Sequence, residues 1–349
     1  MNEVKAAIEA VEPAHEPVGG VAGTPTPAEL GEPWDRVREL ALKHLDRFMS
    51  FEPKVLKGDN PEAIHDMRVA SRRLQQVLDL AYPKPRPREV RWLRRRIQRC
   101  RGALGEVRNY DVLLDHVEHS LKRKHATRRE AWGALQHYLL VRRSTSFPKA
   151  VRKLSKVNLA IFFVRMRDCL GRIGAAPPAG QAMHGDSAAE WPAPGPFPER
   201  LALVLGTVWK AFEEQVTLSH RDPRGPVIHS VRIAAKRLRY LLEVVHAFDV
   251  SGSAEALAWL RGLQQRLGDW HDLEVLEQAA IEMIARPEVL REQLPLVMEV
   301  EKLILRIRHN KRGFQDNYFQ MTHSSRELLG LKVWVDYLLE SPSAVFAKA

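Results

Sequence analysis

With 349 residues, 45% hydrophobic and 28% charged, the chain is long enough for one large domain or two modest ones, each able to bury a core. An excess of 54 Lys and Arg over 43 Asp and Glu leaves a formal net charge of +11 and points to a polyanionic partner: nucleic acid, an acidic membrane or a phosphate polymer. Cys100 and Cys169 indicate no disulfide framework, the longest apolar run (Leu159 to Val164) is too short to span a bilayer, and the N-terminus lacks the basic start and apolar run of a signal peptide, so the expectation is a soluble cytoplasmic protein.

Residues 1–31, rich in Ala, Pro, Gly, Glu and Thr, read as a mobile tail. A helix is expected from Pro33, with Val37, Leu40, Ala41, Leu45 and Met49 on one stripe, ending at Pro53 and the turn Gly58-Asp59-Asn60. The next helix runs from about Pro61 to Tyr82, stopped by Pro83, Pro85 and Pro87. Its apolar stripe is Met67, Ala70, Leu74, Val77, Leu78 and Ala81; on the opposite side stand His65, Arg68 and Arg72 at i, i+3 and i+7, with Arg73 at the margin of the core. A third helix, Arg88 to Leu104, opposes Val90, Leu93, Ile97, Cys100 and Leu104 to Arg88, Arg91, Arg95 and Arg99, with Arg94 alongside, the densest positive charge in the chain. Gly105 closes it, and Asn109 is placed to cap a fourth helix to about Lys122. Helices over about Thr127 to Ser146 and Pro148 to Ile173 follow, then a Pro/Gly-rich linker over 174–197.

The second half replays the first. After a helix from about Glu199 to Ser219, the stretch Ile64-His65-Asp66-Met67-Arg68-Val69-Ala70-Ser71-Arg72-Arg73-Leu74 returns as Ile228-His229-Ser230-Val231-Arg232-Ile233-Ala234-Ala235-Lys236-Arg237-Leu238 in a helix from about Pro226 to Phe248. The core stripe returns as Val231, Ala234, Leu238, Leu241, Leu242 and Val245, and the basic ridge as His229, Arg232 and Lys236, followed by Arg239, with Arg237, like Arg73, at the margin of the core. Beyond a helix from Ala254, Leu104-Gly105-Glu106-Val107-Arg108-Asn109-Tyr110-Asp111 reappears as Leu267-Gly268-Asp269-Trp270-His271-Asp272-Leu273-Glu274, at nearly the same offset, so a whole structural unit is duplicated. Helices from about Pro287 to Arg312 and Arg326 to Leu339 complete the chain, and 341–349 form a C-terminal tail. No segment alternates as a strand does, and the class is all-α. The expected architecture is two similar helical-bundle halves, 32–173 and 198–340, about a pseudo-two-fold axis, with basic faces lining a central cleft.

The two copies of the His-x-x-Arg-x-x-x-(Arg/Lys)-Arg helix resemble the hallmark of the CHAD domain, the conserved histidine α-helical domain, and the resemblance covers roughly Pro33 to Glu340. It implies an all-helical, duplicated fold whose basic central surface binds inorganic polyphosphate, with association to polyphosphate granules as a cellular consequence. The second signature, typically Leu-Gly-x-x-Arg-Asp-x-Asp-Val in the family, departs by Asn109 in the first copy and by His271 and Glu274 in the second, which leaves the fold intact and makes equal binding by the two halves doubtful.

Cations three or four residues apart stand roughly 5 Å apart along a helix, so a linear polyanion laid on such a ridge meets a charge every few phosphates. The expected phosphate ligands are Arg68, Arg72, Arg73, Arg232, Lys236, Arg237 and Arg239, joined by Arg94, Arg95 and Arg99 of the third helix and by Arg108 and His271. His65 and His229 would donate hydrogen bonds, with adjacent phosphate favouring the doubly protonated ring. General polyanion or nucleic-acid binding is the rival, although base stacking needs exposed aromatics and Tyr240 is the main candidate near the ridges. A metal-dependent phosphohydrolase is suggested by His65-Asp66 and His271-Asp272, but Ser230 stands where the repeat would need Asp66. No phosphate loop or nucleophile motif occurs, and no cofactor is implied; the expectation is binding without catalysis.

Overall fold

The computed structural model describes residues 27–123, 128–174, 195–323 and 325–346, with side chains from 33 onward. The described residues form fourteen helices and no strand: α1 (Pro27–Ser50), α2 (Glu52–Lys57), α3 (Pro61–Ala81), α4 (Arg88–Ala103), α5 (Gly105–Lys122), α6 (Arg129–Ser155), α7 (Leu159–Gly171), α8 (Phe197–Arg221), α9 (Gly225–His246), α10 (Ser253–Ile284), α11 (Pro287–Glu292), α12 (Leu294–Thr322), α13 (Arg326–Glu340) and α14 (Pro342–Phe346). No described helix is long and apolar enough to cross a membrane. Residues 1–26 of the expected tail, 175–194 of the linker and 347–349 of the C-terminal tail lie outside the described residues.

Both ridge helices start and pack as their sequences require. Asn60 caps α3 by accepting a hydrogen bond from the Ala63 amide at 3.1 Å, ahead of a proline at the first turn. Gly58 makes the preceding turn at φ +77°, where a side chain would collide with the Phe147 ring. All six residues of each apolar stripe are buried, with Met67, Leu74, Leu238 and Leu241 fully so.

The two sequence halves do not keep separate cores. The main core joins α1, α3, α4 and α7 to α8, α9 and the first part of α10; Phe197 stacks on Phe248 at 4.6 Å and meets Trp34 edge-on at 5.2 Å. A second core sets Leu113, Val117, Leu135 and Leu139 of α5 and α6 against Leu276, Ala280, Leu303 and Ile307 of α10 and α12. Each core is thus made by helices from both halves.

Several boundaries differ from expectation. α1 begins at Pro27, before Pro33, and Pro53 opens the short α2 instead of only ending the first helix. Asn109 lies within α5, which starts directly at Gly105, and is not its cap. α6 runs through Pro148 to Ser155 because Ala150 and Leu154 beyond the proline are buried, and the break falls at Asn158, whose side chain caps α7. Leu104-Gly105 separates α4 from α5, whereas Leu267-Gly268 sits inside the continuous α10. The long C-terminal helix is divided at Gln293 and extends to Thr322.

Leu238 anchors the core side of α9, so Leu238→Ala should destabilise the protein by about 2–5 kcal/mol in urea unfolding; a cost near zero would mean that the ridge helices are not held by their apolar stripes.

Candidate functional site

The basic ridges of α3 and α9 turn toward a shared cleft of about 1840 Å³, walled also by α4, α5, α8 and α10. Ten of the fourteen residues expected from the sequence line it: His65, Arg68, Arg72, Arg94, Arg108, His229, Arg232, Lys236, Arg237 and His271. The other four lie outside its lining. Arg73 of α3 and Arg239 of α9 reach the same carboxylate, Glu243, at 2.8 and 3.5 Å, so both are drawn into a contact that ties the two ridge helices together. Arg239 also covers the Tyr240 ring at 4.8 Å. Arg95 and Arg99 are exposed on the outward face of α4, opposite its buried stripe.

The cleft-facing side of α4 is carried by Arg94 and Arg101, seven residues apart and therefore on one helix face. Arg101 was not singled out in the sequence, although its i+7 spacing from Arg94 was the available signal. Other unforeseen cations at the cleft are Lys84, Arg86, Arg143 and Arg200. Most have structural partners. Arg86 and Arg94 both meet Asp79, Arg200 donates to the Leu80 and Asp79 carbonyls at the end of α3, and Arg143 donates to Asp111 at 2.5 Å. Arg101 donates to Gln75 at 2.7 Å, and Arg68 donates to the Arg101 carbonyl in the last turn of α4.

The acid of the second signature has the same task in both copies. Asp111 of α5 receives Arg143 of α6, and Glu274 of α10 receives Lys311 of α12 at 2.6 Å. The substitution of Glu for Asp is absorbed by a different partner, and the inter-helix tie survives.

What remains is a group of cations without such ties. Arg72, Arg232, Lys236 and Arg237 line the cleft and make no ion pair within 4 Å among the described residues, and the Nε of Arg232 is buried with no hydrogen-bond partner. Burial, with Arg232, Arg72 and Arg239 close by, pushes the Lys236 amine down to about 6. Burial, Arg232, His229 and Lys236 push His271 down to about 3. His229, its ring centroid 4.9 Å from that of His271, is lowered by burial and then by Arg232 and Lys236; His65 is lowered by burial and Arg108, against Glu62 and Asp66. Asp272 is pushed up to about 6 by burial even though Arg232 and Lys236 pull it down, so desolvation outweighs attraction for the acid as it outweighs it for Lys236. Arg232 and Lys236 are thus part-buried without an ion pair, whereas Arg237 is exposed and Asp272 is a nearby but desolvated carboxyl.

Aromatic groups offer little stacking surface here. Tyr240 is 5% exposed, Trp132 and Trp209 are buried, and Trp92 is covered by Arg96 at 4.8 Å and Arg165 at 4.4 Å. Of the two His-Asp pairs, His65-Asp66 is split, since Asp66 turns to Arg47 at 3.3 Å; among the described residues no three His, Cys, Asp or Glu side chains are arranged to hold a metal ion.

Residues 39–280 match the CHAD domain. The chain belongs to the CHAD family. Two uncharacterised proteins from two strains of Mycobacterium tuberculosis are each 24% identical to it over 274 residues, covering 75% of this chain and 49% of theirs; the chain thus spans about half the length of these curated relatives. Among solved structures, the CHAD domain from the plant Ricinus communis superposes with a TM-score of 0.59 at 21% identity, covering 84% of this chain and 92% of its own. PptA from Streptomyces chartreusis superposes at 0.57 with 16% identity, covering 83% and 99%. At these identities the likeness establishes the fold, and the chemistry of this CHAD protein rests on its own cleft.

Each lowered histidine binds its proton less well folded than unfolded, where the value is near 6.5, so stability is complete above that pH and is lost as pH falls toward the folded values. Asp272, between about 6 and 3.8, and Asp269, also raised by burial, act in the opposite sense, but they stand against His44, His65, His116, His220, His229 and His271. The ligand-free protein should therefore lose melting temperature between about pH 8 and pH 5. Lys236→Met, which replaces the desolvated amine by an apolar chain of similar length, should raise the melting temperature near neutral pH by a few degrees. A lower melting temperature for this variant would mean that Lys236 stabilises the fold.

Proposed function

We propose that this CHAD protein binds inorganic polyphosphate in the cleft between α3 and α9, holding the polymer without turning it over. The observation that carries the reading is Arg232, whose buried Nε has no partner in a cleft where Arg72, Lys236 and Arg237 also make no ion pair. Buried donors of this kind are costly unless something accepts from them. An unbranched chain of phosphates supplies acceptors and negative charge together, at spacings that the two ridges can follow. The CHAD family includes members that bind polyphosphate, which supports the same reading.

Nucleic acid is the rival polyanion, and the cleft favours it less. Single strands gain much of their affinity by stacking bases on exposed aromatics, whereas the cleft offers a nearly buried Tyr240. The protein's part in the proposed function is charge neutralisation and hydrogen-bond donation. Neutral His229 and His271 would take up protons as phosphate arrives, because an adjacent anion favours the charged ring. Granule association follows as part of this proposal.

The test is a titration of labelled long-chain polyphosphate with unlabelled competitors at near-physiological salt. Unlabelled polyphosphate should displace the probe far better than single-stranded or duplex DNA, and log affinity should fall with log salt by roughly 0.7 per phosphate contact, on the analogy of single strands. Arg72→Ala with Arg232→Ala should weaken binding and reduce that slope while helicity is kept. Equal displacement by DNA would make the protein a general polyanion binder, and indifference to salt would remove the electrostatic cleft altogether.

In cells that accumulate polyphosphate, a fluorescently tagged chain should gather on the granules. A tag that stays diffuse among visible granules would refute the association.

A further inference from the structure

α4 carries seven arginines and one acid, Glu89. Their fates separate cleanly. Arg94 and Arg101 turn into the cleft, and Arg96 donates to the Lys156 and Val157 carbonyls at 3.1 Å, closing the turn before α7. Arg88, Arg91, Arg95 and Arg99 share the outward face, all exposed, and none makes an ion pair or a side-chain hydrogen bond among the described residues. The one carboxylate of α4 is occupied, because Glu89 pairs with Arg165 of α7.

A solvated helix face ordinarily mixes signs, since like charges three or four residues apart destabilise the helix they sit on. Arg88–Arg91, Arg91–Arg95 and Arg95–Arg99 are all such pairs. The four guanidiniums follow one line over eleven residues, roughly 16 Å of helix at 1.5 Å per residue. The line also connects to the cleft. Lys84 and Arg86, in the segment between α3 and α4, are part of the cleft lining, and the chain passes from them directly to Arg88 at the start of α4.

We propose that the outward arginine stripe of α4 is a second polyphosphate-binding track: a chain longer than the cleft accommodates leaves it past Lys84 and Arg86 and continues over Arg88, Arg91, Arg95 and Arg99. This rests on the polyphosphate reading of the cleft and extends it to chain length. The cleft supplies the buried contacts that any phosphate chain can make. The stripe supplies exposed, purely electrostatic contacts that only a long chain reaches.

The experiment compares tripolyphosphate with a polyphosphate several hundred phosphates long, on wild type and on a variant carrying Arg88→Gln, Arg91→Gln, Arg95→Gln and Arg99→Gln. A control variant loses the same charge at exposed positions on other helices, Lys210→Gln, Arg261→Gln, Arg291→Gln and Arg312→Gln. The stripe variant should bind tripolyphosphate as wild type does, bind the long chain several-fold more weakly, and show a salt slope for the long chain smaller by up to about 3. The control should change neither selectively. Equal loss for both lengths in the stripe variant, an equal effect in the control, or no loss at all would overturn the track. If wild type binds neither polymer, the cleft reading itself has failed. Intact tripolyphosphate binding shows that the stripe variant is folded.

Discussion

The constraint on which the rest of this structure depends is the burial of positive charge in excess of negative charge at the junction of α3 and α9. Each desolvated cation costs several kcal/mol unless it is compensated. The fold meets that cost through its apolar faces. The stripe from Met67 to Ala81 and its copy from Val231 to Val245 are buried without exception, and they press two repelling ridges to the same cleft. Because both cores draw on both halves of the chain, the ridges cannot separate to relieve their repulsion without opening the main core.

The acids of the chain show which cations belong to architecture. Glu243 holds Arg73 and lies beside Arg239, and Asp79 holds Arg86 and Arg94. Asp111 and Glu274 tie α5 to α6 and α10 to α12. Once these are assigned, the unpaired cations divide into a cleft set, in which Arg72, Arg232 and Lys236 are part-buried and Arg237 is exposed, and an exposed set on α4. They have different chemistry. Desolvated cations gain most from a ligand that replaces lost water with acceptors, and hydrated ones interact through a field that salt screens.

Periodicity made much of this legible beforehand. The two ridge helices are read almost to the residue, because a strict apolar stripe opposite a basic one admits one orientation on a core. The placement of Arg73, Arg95, Arg99 and Arg239 was not legible for a tertiary reason. A basic face on a helical wheel is wide, and which part of it meets a cleft depends on the neighbouring helix. Arg239 falls on the ridge by spacing, yet Glu243, one turn further on, keeps it from the cleft. Arg101 is the converse case, lying off the expected face of α4 but on the cleft side, where it donates to Gln75 of α3. Helix breaks failed for another reason: Pro148 and Gly268 weaken a helix locally, and buried neighbours such as Leu154 and Leu267 outweigh them.

The sequence duplication repeats the apolar stripe more faithfully than the charge. Where the first copy places Arg108, paired at the rim with Glu62, the second places His271, lowered to about 3 by burial and its cationic neighbours. Where the first has Asn109, the second has Asp272, the carboxyl nearest the unpaired cations of α9 in its electrostatic effect. The second copy therefore carries fewer fixed cations than the first and has in addition a pair of rings, His229 and His271, 4.9 Å apart, whose pKa values burial lowers. Under the polyphosphate reading, a chain in the cleft would meet arginines from both ridges, Arg68 and Arg72 on α3 and Arg232 and Arg237 on α9, together with His65 on α3 and His229 and Lys236 on α9, whose charged forms an anion favours. Proton uptake under that reading should fall more heavily on the second copy, which has His229, Lys236 and His271 where the first has His65, and the inequality of the halves, visible in the sequence where His271 stands for Arg108, is an inequality of mechanism.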